Sequence, residues 1–338
     1  MDPCLQRALM LVGAVIGAGF ASGREVVSFF SGYGEYSWGL VLLSVAVMAG
    51  LCALCLNRSK NTDGCRWCAI YAGDSQRIRR VAEGCILLLQ IIMGGSMISA
   101  AGHIVALALP IRCAYLLGVV VTIGMAYLLG GADARPLTVI SGLLAAVYVC
   151  AVFAVLIFDG GQEAVVVSLS HRTDQPVRGA VGAVAYAAMN LAIAIGVVCR
   201  SSGSDCRKSN RSAALFGLVM AVLLLLSNYL YLKYPALHSV TFPMVALLAR
   251  FGFIGYLVSL SLMYLAIITT LSAGLSALRT GLEEWLSKGA ACWLAVLLPL
   301  AVSFAGFEGI VDRWYAPVGM LCLLLVFGPL LLQVENKP

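Results

Sequence analysis

Apolar runs of about twenty residues, separated by short polar punctuation, fill nearly the whole chain, and that length is what a helix needs to cross a bilayer's hydrocarbon. Read with a window of that size, the sequence predicts ten spans, near 5–31, 36–56, 81–108, 113–130, 137–158, 177–199, 212–233, 252–282, 289–306 and 315–333. The expected fold class is therefore an all-α polytopic membrane protein, a single integral membrane domain over 1–338. Spans one and six each open a block of five, covering about 5–158 and 177–333. An odd number of spans per block turns the second block upside down. The layout thus predicts a 5+5 inverted repeat that is topological, without a residue-level match between the halves.

Composition agrees with this reading: of 338 residues 61% are hydrophobic and 11% charged, against roughly 25% charged in a soluble domain. The first apolar stretch has no small-residue cleavage site after a compact core and runs on through Arg24 and Glu25, so it is expected to stay on the chain. The net charge of +6 comes from cations in short loops. These read as topology signals, so the lipid bilayer is the expected partner and nucleic acid is not. With both termini cytoplasmic, fifteen of the 22 Lys and Arg fall on the cytoplasmic side, most of the excess in "NRSKNTDGCRWCAIYAGDSQRIRR" and "RSSGSDCRKSNR". Seven of the 12 cysteines, such as Cys52 and Cys322, lie in apolar segments, where a thiol acts as a small hydrophobe. Cys65 and Cys68 form a CxxC, with Cys199 and Cys206 in a loop on the same side; reduced cytoplasmic thiols are the plainer reading than a metal site.

The first span contains "GAVIGAGFASGRE", four glycines between Gly13 and Glu25. Glycine costs a helix about 1 kcal/mol relative to alanine, and unpaired backbone facing lipid costs more, so such a run has two uses. Gly13 with Gly17, and Gly19 with Gly23, make GxxxG spacings for close helix packing. Alternatively the helix breaks near mid-membrane and frees backbone groups at Gly17, Gly19 and Gly23 for an ion and a solute. The depth of these glycines, and the two charges that follow them, favour the break. Arg24 and Glu25, as neighbours, do not share a helix face and should find separate partners. Arg24 is expected in an aqueous vestibule, meeting Asp312 or Glu308.

Span six is the topological counterpart, reading "AVAYAAMNLAIAIG" over 183–196. Tyr186 and Asn190 lie one helical turn apart. Either Asn190 bonds a neighbouring helix, or Met189 and Asn190 mark a second break with Tyr186 capping a pocket. Span eight holds Thr269, Thr270 and Ser272 in "LMYLAIITTLSAGLSALR". A lone hydroxyl satisfies itself on the preceding turn, but a consecutive pair deep in a span suits a hard alkali cation.

At "GAVIGAGFASGREVVSFF" the chain resembles the YkvI-type bacterial membrane proteins, of the amino acid, polyamine and organocation transporter superfamily. "YAAMN" in span six and "FPMVALLARFG" before span eight fit the same family. The resemblance implies the five-plus-five fold of the sodium-coupled leucine transporter, with helices 1 and 6 broken at mid-membrane, in a bacterial cell membrane. It implies a sodium held by the carbonyls of Gly13, Ile16 and Ala266 and the hydroxyls of Thr269 and Thr270. Where the family places an Asn for a second sodium this chain has Phe20, so that site is expected to be missing. Solute contacts carry over as a region: Gly17, Ala18, Gly19, Phe20, Ala21 and Ser22 from span one, Gly94, Gly95 and Ser96 from span three, and Tyr186, Ala187, Met189 and Asn190 from span six.

The function implied is a cation-coupled secondary transporter of an amino acid or similar small organic solute, working by alternating access with Arg24 and Asp312 as a gate. A proton-coupled permease, or a non-transporting receptor like the permease-like subunit of spore germinant receptors, is the alternative. A channel lacks a filter motif or an arginine series. Enzymatic activity has no support, because His103, His171 and His238 lie far apart without a nucleophile or ligand spacing. No cofactor is expected beyond sodium as coupling ion.

Overall fold

The computed structural model describes residues 3–58, 71, 76–130, positions 147, 150–155 and 157, and residues 175–201 and 206–335. Among the described residues every regular element is helical. Most of the expected fifth span (137–158), the CxxC of Cys65 and Cys68, and the sequence 159–174 that follows the span lie outside them.

The first span is three short helices: α1 (Pro3–Val15), α2 (Ala18–Ser22) and α3 (Arg24–Phe29). A 3-10 turn over Ser31–Tyr36 leads into α4 (Ser37–Arg58), followed by α5 (Gln76–Ala108) and α6 (Ala114–Gly130). The sixth and seventh spans are α7 (Pro176–Ser201) and α8 (Cys206–Lys233). A short α9 (Pro243–Leu248), begun by a proline that has no amide to lose at a first turn, precedes α10 (Gly252–Leu282). The chain ends with α11 (Lys288–Ser303), α12 (Phe307–Arg313), α13 (Tyr315–Leu321), a π-helical stretch over Cys322–Phe327 and α14 (Gly328–Glu335). Among the described residues six helices are long and apolar enough to cross a membrane, joined by the shorter apolar Cys4–Val15 and Ala114–Gly130 and by α11 and α12, which meet at an 88° bend. Gly306 makes that bend at φ 77, a left-handed conformation that a side chain disfavours.

Packing sorts these helices into two groups. In one, α4 lies on α7 and α8, and α1 lies on the same two helices. In the other, α5 packs on α6, α10 and α11, and α10 also packs on α6. The broken first span bridges them, because α2 rests against α10 while α3 touches α7 and α8. Phe20, Phe30, Tyr186, Tyr231 and Tyr315 fill the middle with no exposed surface to speak of, whereas Leu128, Ile254, Trp293 and Phe304 point outward. An apolar exterior over a fully buried aromatic centre is what a protein solvated by lipid needs.

Span six corrects an expectation. No break occurs at Met189 and Asn190: α7 is one helix from Pro176 to Ser201. Between Gly182 and Gly196 the sequence offers neither glycine nor proline but a run of alanines, the residue most at ease in a helix. Asn190 is satisfied within it, donating from Nδ2 to the Tyr186 carbonyl at 3.0 Å.

Candidate functional site

The first span breaks twice, each time at glycine. α1 stops at Val15, and the Gly17 amide turns back to the Val15 carbonyl at 2.8 Å instead of to Gly13, releasing the Gly13 carbonyl from its usual helical donor. Gly17 caps α2 in extended backbone (φ −98, ψ −170). Gly23 then separates α2 from α3 at φ 79, with its amide on the Phe20 carbonyl at 3.0 Å. A Cβ at Gly23 would overlap the Tyr231 hydroxyl. Ser22, between the breaks, donates to the Gly19 carbonyl at 2.6 Å and accepts from the Arg24 amide at 3.1 Å, so it satisfies the first free amide of α3.

Gly17 faces span eight. A Cβ placed on it would lie 3.2 Å from Thr270 Oγ1, so the Thr270 hydroxyl sits directly beside the break. One turn back, Thr269 donates to the carbonyls of Leu265 (3.1 Å) and Ala266 (3.0 Å), which leaves its lone pairs available. Ser272 is committed to Ile268 at 2.6 Å. The structure thus brings the Gly17 break beside Thr270 and sets Ile16 and Ala266 on one cavity wall; backbone and hydroxyl oxygens are the donors that a hard monovalent cation takes. That cavity, of about 30 Å³, is walled by Ile16, Ala21, Met244, Met263 and Ala266 among others, room for only a water or two. Its one polar wall residue, Ser259, is turned to the Tyr256 carbonyl.

Arg24 and Asp312 are paired. Arg24 Nη2 reaches Asp312 Oδ2 at 2.5 Å, Nη1 donates to the carbonyls of His238 (3.1 Å) and Val240 (3.2 Å), and Glu308 lies at 4.0 Å. The crosswise helix α12 carries both acids, so the ion pair ties the second break to the loop after span seven and to the turn between spans nine and ten.

The predicted solute residues divide. Ala18, Gly19, Phe20 and Ser22 are buried in α2, while Tyr186, Ala187, Met189 and Asn190 are buried in α7. Tyr186 ties α7 to the end of α3 through ring contacts with Phe29 at 5.2 Å and Phe30 at 5.1 Å. Span three contributes less than expected. Gly94 and Gly95 face Pro299 and Val302 of α11, so these glycines form a packing seam around the proline of that helix. Only Ser96 turns inward, sharing a hydrogen bond of 2.5 Å with the Tyr315 hydroxyl.

Sequence reasoning passed over Tyr315, at the start of a span and with no motif around it. It also passed over Asn228, which accepts from Ser31 (2.8 Å) and donates to Ser37 (2.9 Å), locking the turn after α3 to α8. The signal available was a polar side chain in an apolar span; nothing in the sequence names its partner.

These elements define a multi-pass helical membrane protein whose first span is interrupted. No family model matches the chain. Over 335 residues it is 24% identical to an uncharacterised membrane protein, YkvI, of Bacillus subtilis (strain 168), a match that covers 95% of this chain and 93% of the relative. The resemblance to YkvI-type membrane proteins therefore extends along almost all of both chains. A solved structure, the Eremococcus coleocola manganese transporter in complex with an aromatic bis-isothiourea substituted compound, aligns with 99% of this chain and 72% of its own at 14% identity and a TM-score of 0.44.

Proposed function

We propose that the protein is a secondary active transporter that moves a small organic solute, an amino acid or a close analogue, by alternating access in a bacterial cell membrane. The observation that carries this reading is the double break of span one, which exposes backbone at Gly13–Gly17 to Thr270 on α10 and leaves α2 between two helix groups. Broken backbone inside a membrane is tolerated only where protein or a cavity protects it, and transport sites are built that way.

The proposed coupling ion is sodium, held by the carbonyls of Gly13, Ile16 and Ala266 and the hydroxyls of Thr269 and Thr270. The proposed solute region is α2 with Ser96 and with Tyr186, Ala187, Met189 and Asn190 on the unbroken α7. Arg24 and Asp312 form the proposed gate. A 5+5 inverted repeat is supported by the packing: spans one, two, six and seven make one group, and three, four, eight and nine the other. Each group is closed under exchange of a span with the one five places on, as the repeat requires. Cytoplasmic termini follow from the loop cations.

Purified protein in proteoliposomes, offered a panel of amino acids and amines with and without a sodium gradient, tests the reading. Accumulation that collapses without sodium is the expected result. Binding without accumulation would instead make the protein a receptor, and accumulation indifferent to sodium would remove the cation assignment.

A further inference from the structure

Of the adjacent charges Arg24 and Glu25 in span one, Glu25 is the one whose partner the site does not supply. Its side chain is 2% exposed, on the first turn of α3 just past the Gly23 break. Among the described residues no cation and no hydrogen-bond donor engages its carboxyl, while Arg24 beside it turns away to Asp312. The carboxyl lies against Gly19 of α2, so closely that a Cβ at Gly19 would overlap Oε1. Its field reaches the Tyr315 hydroxyl, which is bonded to Ser96. A carboxylate ion without counter-charge at such a depth costs far more than the neutral acid. Gly23, at φ 79, is the only joint between the element carrying the acid and the element it presses on.

We propose that Glu25 is a proton-binding site of the transport cycle: the protonated acid closes α3 against Gly19, and its ionisation drives α3 away about the Gly23 joint. In the closed form the carboxyl keeps its O–H bond. On opening, that bond breaks, the electron pair stays on the carboxylate and the proton passes to water on the Arg24–Asp312 side. The closed form thus holds one more proton than the open form, so acid favours closure and rising pH favours opening. Of the titratable and charged groups on the elements packed around α3, Tyr186 of α7 meets Phe29, the Tyr231 hydroxyl of α8 lies at Gly23, and Glu308 and Asp312 of α12 lie beside Arg24, with Tyr315 of α13 facing the acid itself; the same elements also carry Tyr33, Glu35 and Tyr36 in the following turn, Arg178 on α7, Tyr229 and Lys233 on α8 and Arg313 on α12. His103 of α5 lies further out, against Tyr115 and Phe242. The assignment rests on reading span one as the moving element of a transporter, but its test needs no solute.

Two measurements on the full chain in lipid nanodiscs decide it. Infrared spectra of the wild type should contain the carbonyl band of a buried protonated carboxyl, absent from Glu25→Gln. Hydrogen exchange of the amides over 24–29, corrected for the chemical rate, should accelerate by up to about tenfold per pH unit below the midpoint of opening, the slope of one proton, and level off above it, and Glu25→Gln should flatten that dependence. A wild type with no such band, or a Glu25→Gln protein whose exchange keeps the pH slope, overturns the proposal. If Glu25→Gln does not fold, Glu25→Asp serves: the shorter acid withdraws from Gly19, so its carbonyl band must move, and an unmoved band overturns the assignment. Failure of uptake in proteoliposomes with both signatures intact would count against the transporter reading and leave the proton site standing.

Discussion

Spans one and six occupy corresponding places in the two halves of the chain, yet one is broken twice and the other runs unbroken for 26 residues. Both are rich in small residues and both pack in the buried middle. They differ in which small residue they use. Span one places glycine at 13, 17, 19 and 23, whereas span six places alanine at 183, 185, 187, 188, 192 and 194. Alanine lets helices approach while favouring the helix itself; glycine lets them approach and makes the helix easier to leave. The asymmetry also separates chemistry. Span one offers backbone oxygens, and span six offers side chains, with Tyr186 as the contact between them.

The largest effect should come from filling the broken span. Gly19→Leu puts a branched chain into the Glu25 carboxyl, and solute uptake in proteoliposomes should fall to background while the protein still purifies as a folded species. Next, Thr270→Ala removes the hydroxyl beside Gly17; sodium should no longer raise solute affinity, measured by thermal shift or equilibrium binding across sodium concentrations. A smaller effect is expected from Asp312→Asn, which takes the charge from the Arg24 partner but leaves the His238 and Val240 carbonyls in place. The loss is about 1–2 kcal/mol for a charged hydrogen bond in a partly exposed pair, readable as a lower melting temperature in detergent. Smallest is Ala187→Gly in span six, which should cost about 1 kcal/mol without opening a break. Increased hydrogen exchange confined to the neighbouring turn would sharpen the comparison, and a new interruption of α7 would break it.

Much of this was legible in the sequence, and the limits have physical causes. Helix class and the places of the long described helices follow from run length and hydropathy, which depend on no partner. The break in span one was readable because glycine spacing and adjacent charges are local features. The continuity of span six was readable too, in its alanines, but reasoning from the repeat alone carried the break across to a sequence that does not favour it. Gly94 and Gly95 look like cavity-lining residues until Pro299 is seen beside them, and that contact spans a distance no window covers. The Arg24 partner was named because few acids lie at that end of the chain. That Ser96 would find Tyr315 could not be foreseen, since each hydroxyl has many possible acceptors.

The right-angled meeting of α11 and α12 has a mechanical corollary. Asp312 is mounted on a short crossbar, not on an upright pillar, so a tug on Arg24 bears on the Gly306 elbow before it reaches any long helix. In a transporter gated there, as proposed above, the stiffness of one glycine joint would set how readily that end opens.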